Sequence, residues 1–167
     1  MIIEVTSGND VLKHSDALLT TTITDGLPPG NKIDEFIRQT AGNQFHEKLF
    51  MAGPSNDGQV VVVKGDDFEK GVAFSNVIFV ADKLRQPLNV IISAGLEAAA
   101  DAGFSSVILP VGIRMDSLIG MVEASEEEVL KEMVEAVYDC DRDEIERITF
   151  VVDNNTESQL RQILDLD

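Results

Sequence analysis

The sequence predicts an α/β protein, a three-layer α/β/α sandwich on a mixed, mostly parallel sheet. Three observations carry that expectation. Strand and helix patterns alternate along the chain. Two strands, at 59–64 and 76–80, are continuous apolar runs of the kind covered on both faces, so helices should flank the sheet. The segment 88–102 is a helix rich in Ala, Leu and Ile, set between strand patterns. With 167 residues and 44% hydrophobic content, the chain suffices for one core. A single domain over 1–167 is expected, without internal repeat, low-complexity tract or linker.

The first forty residues set the pattern. A short apolar strand at 2–5 runs into Ser7-Gly8-Asn9-Asp10. A second, at 16–21, opens into Gly26-Leu27-Pro28-Pro29-Gly30-Asn31 ahead of a helix that starts at Lys32. Two strand ends and a helix N-terminus are thus expected to converge on one sheet edge, where backbone N–H groups without partners can hold an anionic ligand. Strands follow at 59–64 and 76–80, bounded by Gly and Asp. Pro87 near a helix start and Gly103 beyond its end delimit the helix over 88–102, which reads as buried. Residues 106–110 form a short strand, and 111–120 the loop that leaves it. Ser125 and Glu128 make a capping box for a helix in which Val129, Met133, Val134 and Val137 recur at helical spacing. Residues 147–152 are the last strand, and 156–164 an amphipathic helix with Leu160, Ile163 and Leu164 turned inward.

Charge and composition narrow the function classes. A net charge of −17 and a pI near 4.3 disfavour nucleic acid or an anionic membrane as partner, because both demand clustered Lys and Arg. Much of the acidity lies at 123–128 and 139–146, read as a solvated helix face and its exit loop. A small anion stays compatible, since local peptide dipoles outweigh distant, screened charge. No apolar run approaches the roughly 20 residues that cross a bilayer. The start lacks the basic region and long apolar run of a signal peptide, so a cytoplasmic location is expected. The single cysteine, Cys140, excludes an internal disulfide, and Asp139 and Asp141 beside it disfavour the thiolate. His14 and His46 have no Cys or His at metal-ligand spacing, so neither metal nor cofactor is expected. Asp66-Asp67 and Asp34-Glu35 read as turn and helix-start carboxylates. Phosphate-loop, dinucleotide and Gly-x-Ser-x-Gly motifs are all missing.

Several segments carry a family pattern. Gly8-Asn9 follows the first strand, and Asp16-Ala17, eight residues on, opens the second. The helix from Lys32 runs through Ile33, Phe36 and Ile37 to Ala41-Gly42. Gly58-Gln59-Val60-Val61-Val62 precedes the strand pair, and Ala102-Gly103-Phe104-Ser105-Ser106-Val107-Ile108-Leu109-Pro110 runs from helix to strand. In this order they resemble the macro domain, the ADP-ribose-binding module, over nearly the whole chain. That family has Gly-Asp-hydrophobic at the first position, Asn-Ala-Ala-Asn at the end of the second strand and Gly-Glu-Ala-Val-Ile in the third.

The resemblance implies a cleft for ADP-ribose or a related nucleotide diphosphate. Its ligand contacts would come from Asn9, Asp10, Thr22, Gly30, Asn31, Gly112, Ile113 and Arg114. The family's adenine-binding Asp falls on Asn9, with Asp10 adjacent. Its strand end becomes Thr20-Thr21-Thr22-Ile23, so the Asn that contacts the distal ribose in active members falls on Ile23. Pro28 and Pro29 remove two N–H donors from the first loop. Asn31 is the candidate to supply an amide, and Arg114 a guanidinium that grips phosphate bidentately, with Asp116 its competing surface partner. Ser7, Thr24 and Ser117 are weaker candidates, since loop hydroxyls commonly cap and make turns.

Two functions follow, with the oligomeric state left open. The first is binding of ADP-ribose, whose catalytic form would hydrolyse an ADP-ribosyl ester or glycosidic bond. There the loop at Gly30-Asn31 would place the distal ribose and a water. Ile23 in place of Asn weights the expectation toward binding. The alternative is a macro fold with a decayed ligand site, serving as a protein-interaction or structural domain. An exposed apolar patch around Leu27, Leu118, Ile119 and Met121 would be its sign.

Overall fold

The computed structural model describes residues 1–7, 14–22, 32–54, 56–65, 73–83, 85–111 and 126–165. Among them the order is β1 (Ile2–Ser7), β2 (Ser15–Thr22), α1 (Lys32–Ala41), α2 (Gln44–Ala52), β3 (Val60–Lys64) and β4 (Phe74–Ala81). Then come α3 (Leu88–Asp101), β5 (Ser106–Pro110), α4 (Glu126–Asp139), β6 (Arg147–Val152) and α5 (Glu157–Ile163). The strands form one six-stranded sheet in the order β1-β6-β5-β2-β4-β3. Every neighbouring pair is parallel except β3 with β4, giving the mixed, mostly parallel sheet the sequence predicts.

Helices cover both faces. A Cβ on Gly95 of α3 would come within 2.4 Å of Leu19 Cδ1 and 3.1 Å of Val80 Cγ2, so those side chains face α3. Phe79 precedes Val80 and therefore points to the opposite face, where its ring meets His46 of α2 edge-on at 5.5 Å. Thr20 pairs with Phe79 and shares that second face. Phe74 packs against Phe36 of α1 and Phe45 of α2, each at 6.0 Å, fixing the helix pair to the sheet.

Local signals explain where elements stop. Gly42 (φ 72) ends α1 and Gly53 (φ 57) ends α2, each supplying a left-handed residue that a side chain would resist. Pro87 caps α3, and Gly103 (φ 81) turns the chain so that Phe104 N donates to Ala99 O. In α4 the predicted apolar positions Val129, Met133, Val134 and Val137 are buried, while Glu127, Glu128, Lys131 and Glu135 are exposed. Ser125, the expected cap, lies outside the described residues. Leu160 and Leu164 are buried and Ile163 is partly so, as the spacing predicts.

One expectation fails. The run at 59–64 was expected to be a strand covered on both faces, yet β3 is an edge strand whose Val60, Val61 and Val62 are only half-buried. The reason is the length of the connection to β4. Residues 65–73 are fewer than the dozen or so a parallel crossover needs, so the chain must turn back antiparallel.

Candidate ligand site

Five parallel strands bring their carboxyl ends to one rim: Ser7, Val152, Pro110, Thr22 and Ala81. From β2 the chain continues toward β3, at one edge of the sheet. From the adjacent β5 it continues to β6, on the other side. Such a reversal between neighbours is a topological switch point, and the crevice outside it is where open α/β sheets take their ligands. The two segments predicted to line the site, 23–31 and 112–120, leave from these two strand ends.

The β2–β5 pairing also ends short of this rim. β2 and β5 pair at Ala17–Val107 and Leu18–Ile108. β5 stays paired with β6 through Pro110–Val151, and β2 with β4 through Thr22–Ala81. Val111 N donates to Val151 O at 2.9 Å, so Val111 and Leu109 turn their backbone groups to β6. By alternation Ile108 and Pro110 turn theirs to β2. Pro110 has no N–H, so the ladder loses its next donor after Ile108.

On the other side of β2 the rim is tied together. Asp82 N donates to Thr22 O at 2.8 Å, and Asp82 is fully buried. Gly58 N reaches Ala81 O at 2.7 Å, Ala81 N reaches Gln59 O at 2.8 Å, and Lys83 N reaches Asp57 Oδ1 at 2.7 Å. These bonds make β2, β4 and the start of β3 one shelf beside the crevice. Sequence reasoning missed Asp82, and its only mark there was a carboxylate closing an apolar run.

The opposite rim is held by side chains. Asp16 Oδ2 accepts from Ser105 N at 2.7 Å and Ser105 Oγ at 3.1 Å, and Asp16 N donates to Ser106 Oγ at 2.8 Å. Asn76 Nδ2 donates to Asp16 O at 2.8 Å. Arg147 Nη2 donates to His14 O at 2.6 Å and lies 3.3 Å from Ser15 Oγ. At a rise of about 3.3 Å per residue, Asp16 sits roughly 20 Å from Thr22. The Asp-Ala motif therefore belongs to the scaffold rather than the crevice.

Thr22 is the predicted ligand residue that the described part contains. It is 2% exposed, and its carbonyl accepts from Asp82. Asn9, Asp10, Gly30, Asn31, Gly112, Ile113 and Arg114 lie outside the described residues, as do Leu27, Leu118, Ile119, Met121, Thr24, Asp116, Ser117, Asp66 and Asp67. Ser7 ends β1 on the crevice rim, and Asn56 N and Gln59 Oε1 close the turn before β3 at 3.2 Å. His14 lies at the opposite rim, its Nε2 3.3 Å from Ser75 Oγ, whereas His46 is buried in α2. Cys140 is half-buried and packs on the core. Among the described residues no group of three or more His, Cys, Asp or Glu is placed to hold a metal. None of the described helices is long and apolar enough to cross a membrane.

Away from the crevice, the acidic segment after α4 closes around Arg142. The guanidinium reaches Glu97 at 2.6 Å, Asp101 at 2.8 Å and Glu144 at 3.3 Å, bridging α3 to the approach to β6. Glu144's hydrogen bond to Arg142 holds its carboxyl below the ordinary value, and the three carboxylates raise Arg142.

Comparison with known proteins places the architecture. No family model and no curated protein matches the chain. Solved structures do match it. The Trypanosoma brucei macrodomain in complex with ADP has a TM-score of 0.77 at 14% identity, covering 98% of this chain and 69% of that one. The same protein in complex with ADP-ribose matches at 0.71 and 12%, covering 97% and 69%. The macro domain of ganglioside induced differentiation associated protein 2 matches at 0.71 and 19%, covering 98% and 82%. At these identities the likeness is one of fold, and the fold of this chain is that of the macro domains.

Proposed function

We propose, from a chain folded as a macro domain, that the crevice over the carboxyl ends of β2 and β5 binds ADP-ribose or a related nucleoside diphosphate. One observation carries this reading. The reversal of chain direction between β5 and β2 falls in a fold shared with a protein crystallised with ADP and ADP-ribose. The start of α1 follows in sequence on the segment leaving β2, and a helix N-terminus beside that segment would favour an anion. A fold does not fix a function, and the chemistry must come from the residues in the two crevice segments.

In this reading Asn9 and Asp10 take the adenine, Gly30 and Gly112 let backbone approach the diphosphate, and Thr22, Asn31 and Ile113 line the ribose side. Arg114 compensates for the donors that Pro28 and Pro29 lack, through a bidentate contact to phosphate. The net charge of −17 does not oppose an anion, because exposed carboxylates beyond about 10 Å are screened at physiological salt. The partner is a small anionic nucleotide rather than nucleic acid or membrane, and the setting cytoplasmic. As an enzyme it would hydrolyse ADP-ribosyl conjugates, with Asn31 placing the distal ribose and a water; positioning would supply the rate more than any strong base.

The scaffold reading is favoured by Ile23, an aliphatic side chain where active members have Asn. Calorimetric titration with ADP-ribose separates the two: the expected result is a saturable heat at one ligand per chain. No heat at millimolar ligand rejects the binding reading. Binding without release of ADP-ribose from an ADP-ribosylated protein rejects hydrolysis alone.

A further inference from the structure

The sheet ends in two open edges, the outer sides of β3 and β1, and a cation from a helix reaches each of them. On β3, Ala81 N donates to Gln59 O and Gly65 N to Ser75 O, so the odd-numbered residues of this strand turn their backbone groups to β4. The N–H and C=O groups of Val60, Val62 and Lys64 therefore face outward. Lys48 of α2 places its Nζ 3.0 Å from the outward carbonyl of Lys64 and donates to it. On β1, Ile2 N donates to Glu146 O, which turns the even-numbered residues to β6 and leaves the carbonyl of Val5 outward. Arg161 of α5 donates to that carbonyl from Nη2 at 3.3 Å. Two helices remote in sequence thus make the same contact at opposite edges.

An open edge is a template for a further strand, and β3 is suited to pair with its own copy. Run antiparallel about a two-fold axis at Val62, two β3 strands would match Val62 with Val62 and Val60 with Lys64, so that each outward N–H meets an outward carbonyl. Lys64 is the one charged residue of β3, and in this register it faces a valine rather than a like charge. Apolar surface borders the edge as well: Val60, Val61 and Val62 are half-buried, and Met51, 84% exposed, lies three positions after Lys48 on the same side of α2. The acceptor that Val60 of a second copy would need is the Lys64 carbonyl, the atom Lys48 holds. Pairing would break that bond and strip water from an ammonium group. We propose that Lys48 prevents β3 from pairing with β3 of a second copy, and so keeps this chain from associating through its open edge. This role does not depend on which ligand the crevice takes.

The test is sedimentation velocity on the parent, Lys48→Met, Lys48→Arg and the double variant Lys48→Met/Val62→Pro, in salt high enough to screen the net charge of −17. The parent and Lys48→Arg are expected to sediment as monomers of 18.2 kDa. Lys48→Met keeps a long side chain and removes the charge, and it should shift with rising concentration to twice that mass. Val62→Pro deletes an outward N–H without touching a bond to β4, so the double variant should return to the monomer. A Lys48→Met protein that stays monomeric wherever the parent does overturns the proposal, and so does a parent that is itself a dimer. A Lys48→Met dimer that persists with Val62→Pro also overturns it, because the association then runs through another surface. If the double variant fails to fold, the two single Lys48 variants still decide.

Discussion

The two ends of the parallel sheet are built on different principles. At the amino ends, side chains cross from strand to strand: Asp16 to Ser105 and Ser106, Asn76 to Asp16, Arg147 to His14. At the carboxyl ends the β2–β5 pairing runs no further than Leu18–Ile108, because Pro110 offers β2 no N–H. The first end holds the strands in register. The second interrupts the ladder where the order reverses, and the ligand reading rests on that reversal. A polar motif in the sequence therefore does not by itself mark a binding site; the end of the strand on which it falls decides.

The largest expected effect lies at the amino end. Asp16→Ala removes an acceptor shared by Ser105 N and Ser105 Oγ and should cost about 1–3 kcal/mol, read from the urea midpoint. Its ADP-ribose affinity should match the parent. A folded Asp16→Ala protein of unchanged midpoint that had lost the nucleotide would reverse the assignment of the two ends.

The converse variant is Arg114→Ala. Loss of a bidentate phosphate contact should weaken ADP-ribose roughly tenfold, about 1.4 kcal/mol, while the urea midpoint changes by less than about 0.5 kcal/mol. Equal affinity in this variant would remove Arg114 from the site.

Between the two ends, Gly95→Ala probes the close approach of α3 to Leu19 and Val80. Overpacking there costs about 1–3 kcal/mol, and the better helix propensity of Ala returns about 1 kcal/mol. A net loss is expected at equilibrium unfolding, and a more stable variant would show that Leu19 yields freely.

The smallest effect belongs to the exposed clamp at Arg142. Glu144's carboxyl is lowered by its bond to Arg142, so the pair's contribution is complete above the ordinary value of 4.5 and is lost as pH falls through the lowered value. Arg142→Gln should therefore unfold in acid at a slightly higher pH than the parent, with the difference shrinking in high salt. An identical acid transition would leave the clamp without weight in stability.

Much of the architecture could be read from residues whose physics is local. Residues 147–152 alternate and are apolar enough to be a strand, and Pro87 and Gly103 bracket α3 through fixed φ and positive φ respectively. The edge position of β3 was not readable from Val60–Val63, because an apolar run says nothing about how many neighbours a strand has. Connection length was the available signal. Nor was Pro110 readable as the end of the β2–β5 ladder, since that depends on which neighbour its missing N–H would have faced. Asp16 looked like part of a family signature, and only the sheet reveals that it stands at the end remote from the crevice. Arg142 draws its partners from α3 and from its own segment, 45, 41 and 2 residues away, a convergence that no sequence period encodes.

The central claim is that a nucleoside diphosphate sits at the carboxyl ends of β2 and β5, away from the side-chain bridges at the amino ends. Amide shift mapping in an NMR titration with ADP-ribose tests it most directly. Saturable shifts are expected at Ser7, Thr21, Thr22, Asp82 and Val111, with Asp16, Ser105 and Arg147 silent. No shifts at millimolar ADP-ribose, or shifts centred on Asp16 and Ser105, would contradict it.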